Sequence, residues 1–392
     1  MRSARLPRDL SVNPTTRTLE HLLQRGIRVV DLTISNPTRV GLHYPDDLLS
    51  AFASPQALHY DPQPLGMWAA RDAVAGDFNR RGLTVPPERI ALTASTSEAY
   101  AWLFKLLCDP GDAVLVPRPS YPLFDHLTLL EAIETTPYHL EYHGAWRVNI
   151  EEIRHAIDAR TRALLVVSPN NPTGSYLHPA DLEALVDLAS VHDLVLIGDE
   201  VFADFPLDGG SPGVSLLNAR RALVCALGGL SKSVGLPQAK LAWIAFGGSG
   251  DRVAELMSAY EVIADTYLSV STPVQVAVPH LLSKGADVRR QIQERISTNL
   301  GVLRAAVANA PAISLLPPEA GWSAVLQVPN FRSEEALVLE LLTHDHVLVH
   351  PGFFFDFDRE AFVVVSLLTP PGEFEQGIGR VLARASQPGT TA

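Results

Sequence analysis

Cysteine is scarce in this chain of 392 residues, and the chain has neither a long apolar run nor a block of basic residues. Its two cysteines, Cys108 and Cys225, lie in apolar segments, which favours core packing in a reducing compartment over a disulfide or a metal site. No apolar run approaches the roughly 18 residues of a membrane span, and the basic start MRSARLPRDL lacks the apolar region of a signal peptide. The formal net charge of −12 argues against a nucleic-acid partner. We therefore expect a cytoplasmic protein without a membrane, nucleic-acid or metal partner.

The chain is longer than one ordinary core requires, so two domains are expected. Between 88 and 286, short β-rich runs alternate with helical segments, which predicts a mostly parallel sheet covered by helices on both faces. From 287 a long amphipathic helix and several short strand-like runs indicate a smaller α+β domain. The first residues lack a core of their own and are expected to return to this second domain. The predicted segments are 1–45 (arm and part of the small domain), 46–286 (large domain) and 287–392 (small domain).

Four polar clusters come at the ends of predicted strands, where ligands of open α/β sheets bind. In chain order they are TASTSE after RIAL, SPNNPTG after ALLVV, GDE after LVLI and GGLSKSVGL after ALVCAL. The hydroxyl run suits an anion at a helix N-terminus, although Ser95 and Glu98 also have the spacing of a capping box. Asp199 could equally cap a helix or serve as a functional acid. Lys232 carries most weight, because a lysine in an apolar, glycine-rich setting seldom lacks a partner or a chemical role.

In order and spacing, these clusters resemble the class I and II aminotransferases, fold-type I enzymes that bind pyridoxal 5′-phosphate (PLP). The stretches that carry the resemblance, over nearly the whole chain, are TASTSEA, RPSYP, SPNNPTG, DEVF and SKSVGLPQAKLAW. The resemblance implies an α/β fold, with a large PLP-binding domain whose mostly parallel, seven-stranded type of sheet lies between helices. It also implies a smaller α+β domain made from both chain ends, and a homodimer with shared active sites.

The resemblance also implies roles for individual residues. Lys232 would carry the cofactor as a Schiff base and later move the proton of the substrate carbon. Asp199 would pair with the pyridine nitrogen and keep it protonated. Asn171 would donate to the 3-oxygen of the cofactor, and Tyr121 would stack on its ring. The catalytic set implied for this chain is thus Lys232, Asp199 and Tyr121.

The cofactor phosphate would be held mainly by hydroxyl groups. The implied residues are Ser95, Thr96, Ser97, Ser231 and Lys240. Tyr60, in the run HYDPQPLG, resembles the tyrosine that reaches the phosphate of the neighbouring subunit.

Three positions near the cofactor depart from the family pattern. Phe202, also expected at the cofactor, stands where DExY has a tyrosine, so one hydroxyl donor is missing. Gly229 lies where many relatives have a phosphate-binding serine. Lys240 replaces an arginine, which exchanges a bidentate fork for a point charge. These changes are expected to alter the tuning of the cofactor and the affinity of the protein for it, but not to remove the catalytic chemistry.

A fourth departure concerns the substrate. Where the family commonly has the arginine of a pattern like R-I-S-F, this chain has Val364, which cannot clamp a carboxylate. Either another cation binds the substrate carboxylate, with Arg39 and Arg118 as candidates, or the substrate has no α-carboxylate in the usual place. His350 is a further candidate pocket residue, although a histidine of the core or surface has the same sequence signature.

The preferred function is transamination between an amino acid or amine donor and a keto acceptor. A PLP-dependent lyase of the β-eliminating type, or another reaction through a carbanion at the substrate carbon, uses the same residues and stays open. A non-catalytic PLP-binding protein is less favoured, because Lys232, Asp199 and Asn171 are all present.

Overall fold

The computed structural model describes residues 3–207 and 213–388. The strands are β1 Val30–Asp31, β2 Ile90–Thr93, β3 Ala113–Arg118, β4 Glu134–Tyr142, β5 Trp146–Val148, β6 Thr161–Val167, β7 Val195–Asp199, β8 Leu223–Gly229, β9 Ala242–Gly247, β10 Ser314–Leu316, β11 Ser323–Gln327, β12 Val347–Leu348, β13 His350–Pro351 and β14 Phe362–Ser366. The α-helices are α1 Pro14–Gln24, α2 Trp68–Arg80, α3 Thr96–Leu107, α4 Phe124–Leu130, α5 Ile150–Ala156, α6 Pro179–His192, α7 Leu230–Ser233, α8 Gly250–Tyr267, α9 Thr272–Lys284, α10 Ala286–Ala308, α11 Glu334–Glu340 and α12 Pro371–Ala385. Within the described ranges, no helix combines the length and apolar character needed to cross a membrane.

The largest sheet has eight strands in the order β2-β9-β8-β7-β6-β3-β4-β5. The neighbouring strands from β8 through β7, β6 and β3 to β4 pair in parallel, whereas β9 runs antiparallel to both β2 and β8. The predicted mostly parallel sheet is confirmed, with one strand more than the expected seven-stranded type. The additional edge strand, β5, has three residues and pairs antiparallel with β4.

Helices cover both faces of this sheet because its central strands are apolar on both sides. Leu165, Ile197 and Cys225 pack in one cluster with residues of α3 and α8. Their chain neighbours Leu164 and Leu196 point to the opposite face, where they pack against α6. Side chains alternate along a strand, so these continuous apolar runs are typical of a sheet buried on both faces.

A smaller unit combines the two ends of the chain. Its four-stranded antiparallel sheet has the order β10-β11-β14-β13, and β1 pairs in parallel with β12. Val30 and Leu32 pack in the same cluster as residues of α10, α11 and α12. The predicted α+β unit built from both chain ends is confirmed. The segment boundaries at 45/46 and 286/287 stay predictions.

The topology brings the polar clusters to one edge of the large sheet. Strands β2, β6, β7 and β8 run in the same direction, so their carboxyl ends lie on the same side. Thr93, Val167, Asp199 and Gly229 are the last residues of these strands. The loops that follow therefore open into a common space, as expected for the ligand site of an open α/β sheet.

Candidate active site

A cavity of about 490 Å³ lies at this edge, between the large sheet and the small unit. The sequence-predicted residues that line it are Ser95, Thr96, Ser97, Tyr121, Asn171, Asp199, Phe202, Ser231, Lys232, His350 and Val364. Further lining residues are Thr33, Ser35, Val167, Val201, Gly229, Pro237, Ala242, Trp322, Ser323, Phe354, Phe355, Val365 and Ser366. Most of the predicted cofactor residues, distant in sequence, are therefore brought together around one space.

Asp199 ends β7, and hydrogen bonds hold both of its carboxylate oxygens. Oδ2 accepts from the Tyr100 hydroxyl at 3.1 Å, and Oδ1 accepts from the backbone N–H of Val201 at 3.2 Å. Removal from water raises the pKa of Asp199 to about 6, although both hydrogen bonds and the charge of Lys232 oppose that rise. No ion pair is formed by this carboxylate with the described residues. It is thus a buried acceptor that a cationic or N–H group of a ligand would complement.

The second acid of this cluster has a structural role. Glu200 pairs with Arg81 at 3.0 Å, and it accepts hydrogen bonds from the Ser215 hydroxyl and the backbone N–H of Leu216. Its carboxylate is therefore occupied within the protein.

Lys232 lies on the short helix α7, directly after β8, and its side chain is surrounded by aromatic rings. Its Nζ is 4.9 Å from the ring centre of Trp322 and 5.4 Å from that of Phe202. Burial lowers the pKa of Lys232 to about 8, while the negative charge of Asp199 acts in the opposite direction. A larger fraction of this amine is neutral near neutral pH than of an ordinary lysine, and the neutral amine is the nucleophile.

The N-terminus of α3 faces the cavity with a run of hydroxyl groups. Ser95 caps this 12-residue helix, and its Oγ accepts from the backbone N–H of Glu98 at 3.1 Å. In a capping box, the side chain of Glu98 would accept a hydrogen bond from the N–H of the cap residue Ser95. Here it accepts instead from the N–H of the preceding residue, Ala94, at 2.6 Å. The Ser95 hydroxyl keeps its proton for a further bond, so capping and anion binding are compatible here.

Asn171 lines the cavity from the loop that follows β6. Its Oδ1 accepts from the Ser323 hydroxyl at 3.1 Å, so the amide NH₂ is the group that can still donate to a ligand. Tyr121 follows β3 and also lines the cavity, where burial and the nearby Asp199 charge raise its pKa. The Tyr121 phenol therefore stays protonated at neutral pH.

Several predicted residues do not line the cavity of their own chain. Tyr60 is 77% exposed, and Lys240 and Arg39 are also exposed. Arg118 lies 3.6 Å from Asp356 and 3.7 Å from Asp125. Neither candidate carboxylate clamp therefore faces the cavity within one chain.

The departures from the family pattern have clear packing environments. The Phe202 ring packs edge-on against Trp322, with 5.3 Å between ring centres. A Cβ at Gly229 would come within 3.0 Å of the Cβ of Ala242, so this position has little room for a serine. Val364 is 1% exposed and pairs with His350 across β13 and β14.

Sequence reasoning missed four residues around this cavity. Tyr100 donates a hydrogen bond to Asp199, and Ser323 donates one to Asn171. Trp322 and Phe354 contribute aromatic rings to the wall of the cavity. The sequence did contain a signal for Tyr100, because this residue lies on the helix that begins with the hydroxyl run at the predicted site. The other three belong to the small unit and have no local motif.

Comparisons with known proteins agree with this geometry. A family model for "Aminotransferase class I and II" matches residues 29–381. Glutamate-pyruvate aminotransferase AlaA of Escherichia coli K12 is 25% identical over 364 residues, covering 90% of both chains. The alanine aminotransferase of Mycobacterium bovis is 27% identical, over 86% of this chain and 81% of the relative.

Solved structures share the fold. Alanine aminotransferase from Pyrococcus furiosus superposes with a TM-score of 0.89 at 24% identity, covering 98% of this chain and 99% of its own. A double mutant of Thermus thermophilus aspartate aminotransferase gives 0.83 at 23% identity, over 98% and 100%. Because the family model covers residues 29–381, the chain belongs to the class I and II aminotransferases, a family of PLP-dependent enzymes.

Proposed function

We propose that this aminotransferase binds PLP in the cavity between the large sheet and the small unit, with Lys232 as the lysine that carries it. The observation that carries the proposal is the presence, in one cavity, of a lysine with a lowered pKa and a buried carboxylate that forms no ion pair with the described residues. The protein would transfer an amino group from an amino donor to a keto acceptor.

The residues present fit this cofactor. Buried Asp199 offers an acceptor for a protonated ring nitrogen, and Asn171 has a free amide donor for a ring oxygen. Ser95, Ser97 and Ser231 offer hydroxyl groups to a phosphate near the N-terminus of α3. When bound, PLP supplies an aldehyde and an electron-withdrawing ring that stabilises negative charge on the substrate carbon.

The roles of the protein residues follow from their positions. Asp199 holds a proton on the pyridine nitrogen, which Tyr100 supports by donating to Oδ2. The Nζ of Lys232 removes and returns the proton at the substrate carbon, a role that its lowered pKa favours. Tyr121 contributes an aromatic surface at the cavity. Phe202 and Trp322 surround the lysine with rings instead of hydroxyl groups.

The active form is proposed to be a homodimer in which Tyr60 of a second copy completes the phosphate site. Tyr60 is strongly exposed and does not reach the cavity of its own chain. Leu58, Trp68, Val262 and Tyr267 are exposed as well. Where such apolar side chains form one contiguous patch, they are typical of interaction surfaces. A cytoplasmic location is also proposed, because Cys108 and Cys225 are both free thiols.

The proposal is tested by incubating the PLP-loaded protein with a panel of amino donors and no acceptor. Transamination should convert bound PLP to pyridoxamine 5′-phosphate once per site, measured after denaturation, and turnover should then require a keto acid. Lys232→Ala should give no conversion, whereas Lys240→Ala should still react. Continuous release of ammonia without an acceptor would instead establish the lyase alternative.

A further inference from the structure

We infer that the amino donor of this site is an apolar amine, with an aryl or alkyl group and no carboxylate on the carbon that bears the nitrogen. This inference rests on the proposed function and narrows its substrate class. It draws on the charges and the shape of the cavity beyond the residues assigned to the cofactor.

The part of the cavity left for the substrate has little charge. Among the described lining residues, Asp199 and Lys232 are the acidic and basic side chains, and both are assigned to the cofactor. The remaining polar side chains of the small unit and N-terminal segment include the hydroxyls of Thr33, Ser35 and Ser366. Thr33 and Ser366 already donate, to the Asp31 carboxylate and to the Ile34 carbonyl. A substrate carboxylate would therefore enter this space without a matching cation from the described residues of the same chain.

His350 lines the cavity but does not act as that cation. Burial lowers the pKa of its imidazole to about 4, so the ring is neutral at physiological pH. The ring stacks on Phe354 with 4.5 Å between centres and an interplanar angle of 5°, and Phe355 packs edge-on against it at 5.5 Å. His350 is thus part of an aromatic wall.

Val364 continues this wall as an apolar surface. It pairs with His350 on β13 and with Val325 on β11, and it packs in a cluster that includes Phe355 and Phe362. A carboxylate against Val364 and the phenylalanine rings would lose water and gain neither a charge partner nor a hydrogen-bond donor from them, and the neutral ring of His350 offers at most one uncharged N–H. An aryl or alkyl group would instead replace water by ring and methyl contacts.

Phe354 offers the most accessible ring of this wall. It is 42% exposed although it lines the cavity, so part of its surface is open to a ligand. Its neighbour Phe353 is exposed to a similar extent, 52%, but does not line the cavity. These adjacent phenylalanines provide a site variant and a matched control.

The experiment compares three donors that share a benzyl group: 2-phenylethylamine, phenylalaninol and phenylalanine. They place hydrogen, hydroxymethyl or carboxylate on the amine-bearing carbon. We expect kcat/KM for 2-phenylethylamine to exceed that for phenylalanine by about a hundredfold, because one uncompensated charge is excluded. A preference for phenylalanine, alanine or glutamate overturns the inference and leaves the proposed function intact, and a preference for phenylalaninol overturns it in favour of a polar donor. Failure of every donor with every keto acid tried overturns the proposed function itself.

Two variants locate the preference in the cavity. Phe354→Ala should raise KM for 2-phenylethylamine about tenfold with little change in kcat, whereas Phe353→Ala should leave both unchanged. An equal effect of the two substitutions would contradict the assignment of the aryl group to this wall. Val364→Arg should shift the preference towards phenylalanine, and its melting temperature reports whether the buried arginine is tolerated. If that variant does not fold, the comparison of Phe354→Ala with Phe353→Ala still tests whether the aryl group of the donor binds at this wall.

Discussion

The hydroxyl of Tyr100 donates a hydrogen bond of 3.1 Å to Oδ2 of Asp199 and so joins α3 to the end of β7. Burial and the adjacent carboxylate raise the pKa of Tyr100 well above its usual value of 10, so this phenol stays a donor. The ring is held edge-on against Phe124, with 5.3 Å between ring centres. A packed aromatic residue therefore orients the carboxylate that is proposed to bind the ring nitrogen.

Tyr100→Phe should lower kcat/KM by about tenfold to a hundredfold, since a hydrogen bond to a charged group contributes on the order of 1.5–3 kcal/mol. The bond to Tyr100 lowers the pKa of Asp199, so its removal raises that pKa. The acid limb of the pH–rate profile should consequently move to higher pH. Tyr138→Phe is the control, because it removes another buried hydroxyl bond, which goes to the Leu165 carbonyl and not to Asp199. A profile that moves equally in both variants would contradict a positioning role for Tyr100.

Asp199→Asn should change the pH dependence of apoprotein stability. The pKa of Asp199 is about 6 in the folded protein and 3.8 ordinarily, so the folded state binds this proton more tightly. That contribution to stability is complete below pH 3.8 and is lost as the pH rises through 6. Above pH 6 the unfolding free energy of the variant should exceed that of the wild type by about 1–3 kcal/mol, because the neutral amide avoids a buried charge. The lower end of this range takes account of the lost attraction between Asp199 and Lys232. Urea unfolding measures the difference, and a constant difference from pH 4 to 8 would show that Asp199 does not titrate in this way.

Capture of PLP by the apoprotein should depend on pH as expected for an amine with a pKa of about 8. The rate should rise up to about pH 8 and then level off, because the neutral amine attacks the aldehyde. For an ordinary lysine, with a pKa of 10.5, the rate would instead keep rising up to about pH 10. Borohydride fixation followed by peptide mapping should place the label on Lys232, and Lys240→Ala should keep the same profile. A label on Lys240 would refute the assignment.

Mixing two inactive variants should restore activity if Tyr60 completes the site of a second copy. Lys232→Ala and Tyr60→Ala homodimers should each be impaired, but a hybrid dimer contains one site with both residues intact. Activity should therefore reappear after the variants are unfolded and refolded together, up to about one quarter of the wild-type sites in a random mixture. Sedimentation measures the oligomeric state in parallel. A fully active monomer would contradict the shared site.

The residues that lie directly after predicted strands were found from the sequence because their position depends on local signals. Each of Ser95, Asn171, Asp199 and Lys232 follows or ends a buried strand, and parallel strands bring such ends together. The strands β4 and β5 were not predicted. Pro137 lies within β4, which is only partly buried along its length, and β5 is three residues long, so neither shows the usual apolar run.

Contacts across the two units could not be predicted from local patterns. Ser323 and Asn171, which share a hydrogen bond of 3.1 Å, lie 152 residues apart in the chain. Trp322 approaches Lys232 only because β11 of the small unit faces the carboxyl ends of the large sheet. Arg118 comes three residues before Tyr121, yet it lies beside Asp125 and Asp356 instead of the cavity.

The sequence by itself determined the order of strands and helices, the position of Lys232 and Asp199 at strand ends, and the absence of an arginine at Val364. These features depend on side-chain periodicity and on motifs within a few residues, which the chain carries locally. Only the tertiary structure decided that Tyr100 holds Asp199, that aromatic rings surround Lys232, and that neutral His350 lines an apolar wall. The physical reason is that burial and contacts between distant segments set these pKa values and pairings, and both arise when the small unit packs over the end of the large sheet.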